Sequence, residues 1–427
     1  MPTVPERSWA VFPGGSLGEY NLPPDLTTVL ARGEGVTVWD VEGRPFTDFT
    51  MGWGSVLLGH AHPAVVEAVR RQAALGSNFA YVAEPALELA EELARAVPCA
   101  ERARFCASGT EATAYAVRLA RASTGRAKVL KFEGAYHGGN EIGTVSLFPT
   151  RLLDFPQGEP TSAGLTPAAV AEILVAPYND LEATAAIVDA HREELAAVIV
   201  EPLHRCTPPR PGFLRGLREL TAERGVVLIF DEVVTGFRLA YGGAQEYYGV
   251  CPDLAALGKA LGGGYPIGAV AGRADLLDLV REDRIGEKPC VWFASSLGGN
   301  PVSAAAGLAT LGELRRPGIY SRLFALGEAL RSGLRVVFQE EGVTAHVQGD
   351  GPLGAVVFTD REVVDYRTAF RSDRERARAF LLGLFRRGIF LNPMSTKLYL
   401  SLAHTEADIA RFLDAARDTL RKDRRHG

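Results

Sequence analysis

The chain has 427 residues and a formal net charge of −5, with 47% hydrophobic and 23% charged residues. This composition is typical of a globular protein with two or three structural units. The sequence has no basic excess and no apolar run long enough to cross a bilayer. We therefore expect neither nucleic acid nor a membrane as a partner.

Cysteine usage and the N-terminal residues bear on the compartment. Residues 1–7 lack a charged stretch followed by an apolar core, so no secretory signal is expected. The cysteines are odd in number and scattered, namely Cys99, Cys106, Cys206, Cys251 and Cys290. Without CxxC spacing they predict free thiols in a reducing cytoplasm. His60 and His62 form the one close histidine pair, at a predicted helix entry, and we predict no metal site.

Hydrophobic periodicity predicts strands and helices after an irregular arm at residues 1–35, which is rich in proline and glycine. In chain order they are strand 36–40, strand 45–49, helix 63–74, helix 85–97, strand 102–106, a helix ending at 122, strand 128–132, helix 180–192, strand 197–201, helix 213–224, strand 226–231, helix 304–314, helix 323–338, strand 353–358, helix 373–386, strand 398–402 and a helix from 406. Residues 138–175 are predicted to be a long, loop-rich insertion.

Continuous apolar strands separated by helices indicate an α/β protein whose parallel strands are buried under helices on both faces. We expect a large domain over residues 51–305 and a smaller α/β domain over residues 306–427. Residues 1–50 are expected to form an N-terminal arm and part of the small domain.

A single lysine ends the apolar run at 254–257, and three glycines, Gly262 to Gly264, follow it closely. A lysine at the end of a buried strand is costly unless its amine is neutral or bonded. One explanation is that Lys259 forms a Schiff base with a carbonyl compound, for which pyridoxal phosphate is the usual partner. The other is a lysine that extends to solvent before a glycine turn.

Two further groups follow predicted strands. Ser108-Gly109-Thr110 lies between a strand and a helix, where backbone N–H groups can bind a phosphate, although an ordinary helix N-cap is the commoner role. Asp231 closes an apolar strand and can pair with a protonated pyridine nitrogen or cap the next turn. Ligands of open α/β sheets bind beyond the carboxyl ends of strands, so Asp231 and Lys259 are expected at one edge.

Competing motifs are missing from the sequence. No strand is followed by GxGxxG or GxxxxGK[ST], which argues against nucleotide binding. No GxSxG elbow indicates a serine hydrolase. The anion cradle, the carboxylate and the lysine together favour a pyridoxal-phosphate enzyme.

A series of motifs then resembles a known family along nearly the whole chain. The motifs are Leu58-Gly59-His60-Ala61-His62-Pro63, Ser108-Gly109-Thr110-Glu111-Ala112, Gly134-Ala135-Tyr136-His137-Gly138, Tyr178-Asn179-Asp180-Leu181, Asp231-Glu232-Val233-Val234-Thr235-Gly236-Phe237-Arg238, Gly258-Lys259 and Gly299-Asn300-Pro301. The sequence resembles the fold-type-I, class III pyridoxal-phosphate aminotransferases, and within them the glutamate-1-semialdehyde 2,1-aminomutase branch. The resemblance implies a fold-type-I transferase with pyridoxal 5'-phosphate as cofactor.

The resemblance also implies roles for single residues. Lys259 would form the internal aldimine and move the α-proton, and Asp231 would keep the ring nitrogen protonated. The other residues that it implies at the cofactor are Ser108, Gly109 and Thr110 at the phosphate, Val233 and Tyr136 on the two ring faces, Asn179 and Glu201 nearby, and Ser296 reaching the phosphate from a neighbouring subunit. A homodimer with shared active sites follows from Ser296. Trp53 matches a pocket wall, and His137 has a structural role.

Departures from the aminomutase branch concern the substrate. Asn21 stands where the branch has an arginine that grips the substrate carboxylate, and the segment 138–175 differs throughout. Our hypothesis is that Arg205 or Lys397 replaces that arginine. For Lys397, an exposed surface lysine is the alternative.

The function predicted is amino-group transfer between an amino donor, which is an amine or amino acid, and a keto or aldehyde acceptor. An intramolecular aminomutase or a racemase on the same cofactor is the alternative, because these share every cofactor residue. A non-catalytic cofactor-binding protein is a third interpretation. The presence of Lys259 and Asp231 counts against it, as does the lack of a basic patch.

Overall fold

A computed structural model describes residues 2–18 and 20–423. Its strands are β1 (Leu30–Glu34), β2 (Thr37–Asp40), β3 (Pro45–Asp48), β4 (Arg102–Cys106), β5 (Lys128–Phe132), β6 (Ile173–Ala176), β7 (Leu195–Val200), β8 (Val227–Asp231), β9 (Leu254–Leu257), β10 (Gly268–Gly272), β11 (His346–Gln348), β12 (Leu353–Val357), β13 (Ile389–Phe390) and β14 (Lys397–Tyr399). Its α-helices are α1 (Val4–Val11), α2 (Met51–Gly54), α3 (Pro63–Leu75), α4 (Glu84–Ala96), α5 (Gly109–Thr124), α6 (Glu141–Thr144), α7 (Pro167–Ala171), α8 (Leu181–Ala190), α9 (Phe213–Glu223), α10 (Gly243–Tyr248), α11 (Ala274–Leu277), α12 (Pro301–Leu314), α13 (Ile319–Glu340), α14 (Tyr366–Phe370), α15 (Arg374–Phe385) and α16 (Glu406–Asp423). Across the described residues, none of these helices is both long enough and apolar enough to span a membrane.

The chain divides into two compact units. The first contains the residues up to Pro63, Pro317–Val363 and the residues from Thr368 onward; the second contains Ala64–Arg316 and Val364–Arg367. The chain thus changes unit at Pro63 and after Arg316, whereas the sequence predicted boundaries at 50 and 305. Helix α12 belongs to the second unit because it packs on α4 and on the turn that begins at Lys259.

A seven-stranded sheet forms the centre of the second unit, in the order β4-β10-β9-β8-β7-β5-β6. Strands β5 to β9 pair in parallel, and β10 runs antiparallel between β4 and β9. Since both β4 and β9 are antiparallel to β10, they point the same way. The predicted fold class, a mostly parallel sheet flanked by helices, is confirmed.

Both faces of this sheet are buried, which explains the continuous apolar runs in the sequence. Helix α5 covers one face through Ala112, Ala116 and Ala120, where alternate strand residues such as Val129 meet it. Helices α8 and α9 cover the other face, where Leu217 packs among the remaining strand residues.

The first unit holds two small sheets, β1-β2-β3-β13 and β11-β12-β14. Its core joins α13, α15 and α16 to these strands through side chains such as Leu330, Phe380 and Phe412. Segment 51–63 belongs here because Leu402 N donates to Leu57 O and His60 bonds Asp48 at 2.7 Å. The unit is therefore built from both ends of the chain.

Three sequence predictions of local structure are corrected. The end of the predicted insertion 138–175 folds into α7 and β6, the edge strand of the central sheet. The predicted irregular arm contains α1, whose start is a capping box between Thr3 and Glu6. Strand β10 was missed because its glycines mask a strand pattern. A Cβ on Gly268 would lie 2.2 Å from Ser108 O, so the start of β10 approaches the segment after β4 too closely for any side chain there.

Candidate active site

Polar residues lie at or just beyond the carboxyl ends of three strands, β4, β8 and β9, at one edge of the central sheet. Ser108 lies two residues after β4, β8 ends on Asp231, and Lys259 lies two residues after β9. Strands β8 and β9 are neighbours in register, with Asp231 opposite Ala256. The prediction that Asp231 and Lys259 share an edge is confirmed. This carboxyl edge is where open α/β sheets bind ligands.

Lys259 begins a single 3₁₀ turn in a strained conformation. Its φ angle is +47°, a region that residues other than glycine rarely adopt and that clusters at functional sites. The turn ends on Gly263, and a Cβ there would lie 2.1 Å from Thr310 Oγ1 of α12. The glycine lets the turn pack tightly on that helix, and this packing supports the strained lysine.

Asp231 is buried and held on both carboxylate oxygens. Its Oδ1 accepts a hydrogen bond from Val233 N at 3.1 Å, and its Oδ2 is 2.7 Å from His137 Nδ1. His137 is fully buried, and among the residues described its Nε2 has no hydrogen-bond partner. An ionised Asp231 requires the proton of this bond to lie on Nδ1. His137 therefore orients the carboxylate, a specific form of the structural role expected for it.

Helix α5 begins at the Ser108-Gly109-Thr110 segment, for which the sequence predicts an anion cradle. Ser108 Oγ accepts a hydrogen bond from Glu111 N at 3.2 Å, so this serine is the N-cap of α5. The first N–H groups, those of Gly109 and Thr110, have no carbonyl partner within the helix. A Cβ on Gly109 would lie 2.7 Å from Val233 Cγ1, so only glycine lets Val233 pack against this turn.

A turn after β5 carries Tyr136 and His137 toward the same edge. Tyr136 N donates to Glu201 Oε1 at 2.8 Å, and Thr113 Oγ1 donates to His137 O at 2.6 Å. Tyr136 is 37% exposed, whereas Glu201 is buried. Since Glu201 follows β7, this contact joins the ends of two neighbouring strands.

Lys131 supports this turn from within the sheet, and sequence reasoning missed it because it reads as one polar residue in an apolar strand. The side chain is fully buried, and Nζ donates to Ala135 O at 2.9 Å and to Val145 O at 2.6 Å. Burial lowers the pKa of Lys131 to about 7, although the charge of Glu201 opposes this shift and that of Arg205 adds to it.

Lys131→Met is expected to flatten the pH dependence of stability above pH 7. Between the folded pKa of about 7 and the ordinary value of 10.5, the unfolded chain binds a proton that the folded chain has released. The free energy of unfolding therefore rises with pH, by at most about 1.4 kcal/mol per pH unit for one proton. Urea unfolding at several pH values from about 6 to about 9 measures how the free energy of unfolding changes with pH in the variant and in the wild type. Equal slopes in the variant and the wild type would contradict the assignment.

A short segment from late in the chain packs against the same turn. Arg367 Nε and Nη2 donate to the two oxygens of Glu133, at 2.8 and 3.1 Å. Tyr366 lies against Gly134, where a Cβ would come within 2.4 Å of its ring. No local pattern in the sequence connects Glu133 with Arg367, because the partners are far apart in the chain.

Two of the predicted cofactor residues lie in loops of the second unit. The side-chain Nδ2 of Asn179 donates hydrogen bonds to Pro208 O at 3.1 Å and to Val364 O at 3.0 Å. Its Oδ1 accepts a hydrogen bond from Arg210 N at 2.7 Å. Asn179 thus holds loops together. Ser296 is exposed, and its carbonyl accepts a hydrogen bond from Asn78 Nδ2 at 3.1 Å.

The remaining predicted residues of the pocket belong to the first unit. Trp53 is partly buried with a φ angle of +56°, and its ring meets the edge of Tyr20 at 5.4 Å. Lys397 opens β14 and pairs with Ala355 of β12. Asn21 is exposed, and its backbone carbonyl accepts a hydrogen bond from Arg378 Nη2 at 2.6 Å.

This arrangement of a strained lysine, a buried carboxylate and an anion cradle defines a transferase of the pyridoxal-phosphate type. The sequence profile of the class-III aminotransferases matches residues 22–420. The chain belongs to the class-III aminotransferase family, and its cofactor is pyridoxal 5'-phosphate.

Individual relatives carry two kinds of name. A glutamate-1-semialdehyde 2,1-aminomutase of Thermomicrobium roseum is 44% identical over 416 residues, which cover 96% of this chain and 95% of the relative. An omega-transaminase from Sphaerobacter thermophilus superposes with a TM-score of 0.92 at 37% identity, covering 99% of this chain and 97% of that one. A transaminase with pyridoxal phosphate bound superposes with a TM-score of 0.89 at 31% identity. The superposition covers 98% of this chain and 96% of that one.

The residues at the carboxyl edge fit this cofactor. A buried carboxylate suits a protonated ring nitrogen, and the N–H groups at the start of α5 suit a phosphate. Asp231 is only 6% exposed and makes no ion pair with lysine or arginine among the residues described, so a cationic ring would provide its charge partner. The amine of Lys259 provides the group that bonds an aldehyde.

Proposed function

We propose that this enzyme moves an amino group from a donor amine or amino acid to a second molecule with a keto or aldehyde group. The observation that supports it is the common edge of Lys259, Asp231 and the start of α5. Asn21, in place of the arginine expected in the aminomutase branch, favours a substrate other than glutamate-1-semialdehyde.

The proposed roles follow from position and chemistry. Bound pyridoxal phosphate supplies a conjugated ring that withdraws electrons from the substrate C–H bond beside the amino group. The Asp231 carboxylate would accept a hydrogen bond from the protonated ring nitrogen, and His137 keeps this carboxylate in place. Ser108, Gly109 and Thr110 would hold the phosphate, while Val233 and Tyr136 would pack on the two ring faces.

Lys259 has the central chemical role in this proposal. Its Nζ would remove the proton from the substrate carbon that bears the amino group and return it two atoms away, on the far side of the nitrogen, as a general base and then a general acid. The strained turn holds the amine at one place, which favours transfer in the correct geometry. Glu201 and Asn179 lie close to the cofactor in this proposal.

An intramolecular aminomutase is the second candidate, and the name of the relative with 44% identity favours it. Such an enzyme moves the amino group within one molecule and needs no separate acceptor. The cofactor residues are the same in both reactions. Only the fate of the donated amino group distinguishes the two.

Turnover with and without an added carbonyl acceptor tests the proposal. We expect the holoenzyme with an amino donor alone to form at most one product per active site, and steady turnover to need a keto acid or aldehyde. Turnover of glutamate-1-semialdehyde without an acceptor would establish the aminomutase instead. Interconversion of enantiomers of a single amino acid would indicate a racemase. Unchanged cofactor absorbance with every donor would indicate a non-catalytic protein.

We further propose a homodimer in which Ser296 completes the phosphate site of the partner. Exposed apolar side chains surround Asn78, which bonds the carbonyl of Ser296: Leu75 is 75% exposed, Phe79 53% and Tyr81 87%. Such a patch is typical of a surface that another molecule covers. Analytical ultracentrifugation should show a dimer whose dissociation on dilution releases the cofactor. A monomer that retains the cofactor would refute the shared site.

A cytoplasmic location is part of the proposal. All five cysteines are free thiols, as expected in a reducing compartment. Recovery of the enzyme in the cytosolic fraction of its host cells would support this location.

A further inference from the structure

The loop after β7 has an unusual backbone. Arg205 and Cys206 have φ angles of +51° and +71°, two consecutive residues in the left-handed region without a glycine. Such conformations are costly and persist only where surrounding contacts impose them. They also point the side chain of Arg205 in a direction that ordinary backbone would not allow.

Contacts on both sides hold this loop in place. Glu201 Oε2 accepts Arg205 N at 3.2 Å, while Oε1 of the same carboxylate accepts Tyr136 N at 2.8 Å. His204 Nε2 is 3.0 Å from Glu133 O, and the His204 ring stacks on Tyr178 at 4.7 Å. Arg205 is therefore anchored, through one carboxylate, beside the turn that carries Tyr136.

The guanidinium of Arg205 has no anionic partner in the part of the chain that the structure describes. Its Cζ lies 4.9 Å from the centre of the Phe148 ring, a cation–π contact, and the side chain is partly buried. Among the residues described, it forms no salt bridge and no side-chain hydrogen bond, whereas nearby Arg367 is paired with Glu133. Its planar fork of N–H donors matches a carboxylate in geometry.

We propose that Arg205 is a specificity-determining residue that binds a carboxylate of the substrate, so that the enzyme prefers amino acids and keto acids to simple amines. This inference rests on the proposed function, because it places the substrate at the edge that carries Tyr136 and Lys259. The ring of Phe148 keeps the guanidinium in position, and the Glu201 carboxylate fixes its backbone. The substrate anion then supplies the missing counter-charge.

Paired donors test the assignment. Each amino acid, for example 4-aminobutanoate or 3-amino-3-phenylpropanoate, is compared with the amine in which a methyl group replaces the carboxylate, butylamine or 1-phenylpropylamine. Arg205→Ala is expected to lower kcat/KM for the amino acids by about 10- to 100-fold, the equivalent of one charged hydrogen-bonded contact, and to leave the amines unchanged. Arg205→Lys retains the positive charge but lacks the paired N–H donors of the guanidinium. Its kcat/KM for the amino acids should lie between those of the wild type and Arg205→Ala.

A binding measurement gives a readout that does not depend on turnover. Calorimetric titration of the holoenzyme with unreactive carboxylic acids, succinate and benzoate, should show weaker binding in Arg205→Ala by a similar factor. Arg118→Ala is the matched control, since Arg118 also lies over an aromatic ring, 5.2 Å from the centre of Tyr115, but on the exposed side of α5. This control should behave like the wild type in both experiments.

The outcomes separate the inference from the proposed function. If Arg205→Ala loses amine and amino-acid activity equally, or loses neither, Arg205 is not the carboxylate anchor even though the enzyme transfers amino groups. A wild type that converts only simple amines and binds neither acid would overturn the inference in the same way. If no donor is converted, the proposed function fails, and the calorimetric comparison alone decides the assignment of Arg205.

Discussion

Lys259→Ala is expected to lower turnover with saturating donor and acceptor by at least about 10²- to 10⁴-fold, the contribution of a positioned acid–base group. The loss should be larger than for other variants, because the same amine is proposed to bond the cofactor aldehyde. Initial rates measure the effect, together with the visible absorbance of the bound cofactor. Added ethylamine should restore part of the rate, since a free amine can carry the proton.

A second lysine provides the control for this variant. Lys128 begins β5 in the same sheet and pairs with Glu194 near the surface. Lys128→Ala should retain both turnover and cofactor absorbance. Should Lys259→Ala keep the wild-type rate while its far-ultraviolet circular dichroism is unchanged, the proposed role of Lys259 would be wrong.

Asp231→Asn should weaken cofactor binding by about 10- to 100-fold, because one charge-assisted hydrogen bond is lost. Turnover should fall as well, even with the cofactor in excess, since a neutral amide does not retain the proton on the ring nitrogen. The substitution preserves the shape of the side chain, and its one amide oxygen can keep the contact with His137, but the bond from Val233 N is then lost. Equilibrium dialysis measures the affinity for the cofactor, and rates at saturating cofactor measure the catalytic part.

Asp253 offers a matched buried carboxylate away from the site. It precedes β9 at the opposite edge of the sheet and binds Arg218 and Arg273 at 2.9 and 3.0 Å. Asp253→Asn should destabilise folding, because it breaks buried ion pairs, but should leave cofactor affinity unchanged. An equal loss of affinity in both variants would mean that Asp231 acts only through stability.

Much of the central sheet could be predicted from the sequence, because a strand buried on both faces needs a continuous apolar run. The strand at 102–106 and the strand at 128–132 were predicted with the observed bounds. Two strands were missed for a physical reason. Strand β10 consists of small residues selected for close backbone approach, and β6 is a short edge strand inside a segment rich in proline and glycine.

The candidate active site likewise contains some features that the sequence predicts and others that it does not. The order of the parallel strands brings their carboxyl ends to one edge, so the common position of Asp231 and Lys259 follows from the chain pattern alone. The contact between His137 and Asp231 does not, because it joins residues 94 positions apart through the packing of a turn. The position of the Arg205 guanidinium over the Phe148 ring likewise depends on a strained loop.

The sequence by itself determined the buried parallel sheet, the lysine after a strand and the helix start at Ser108, because each depends on local residue type and spacing. Only the tertiary structure decided how the turn of Tyr136 is held, with Lys131 beneath it and Arg367 against its first residue. Such contacts depend on which carbonyls and carboxylates meet after packing. Local propensities contain no information about these long-range partners.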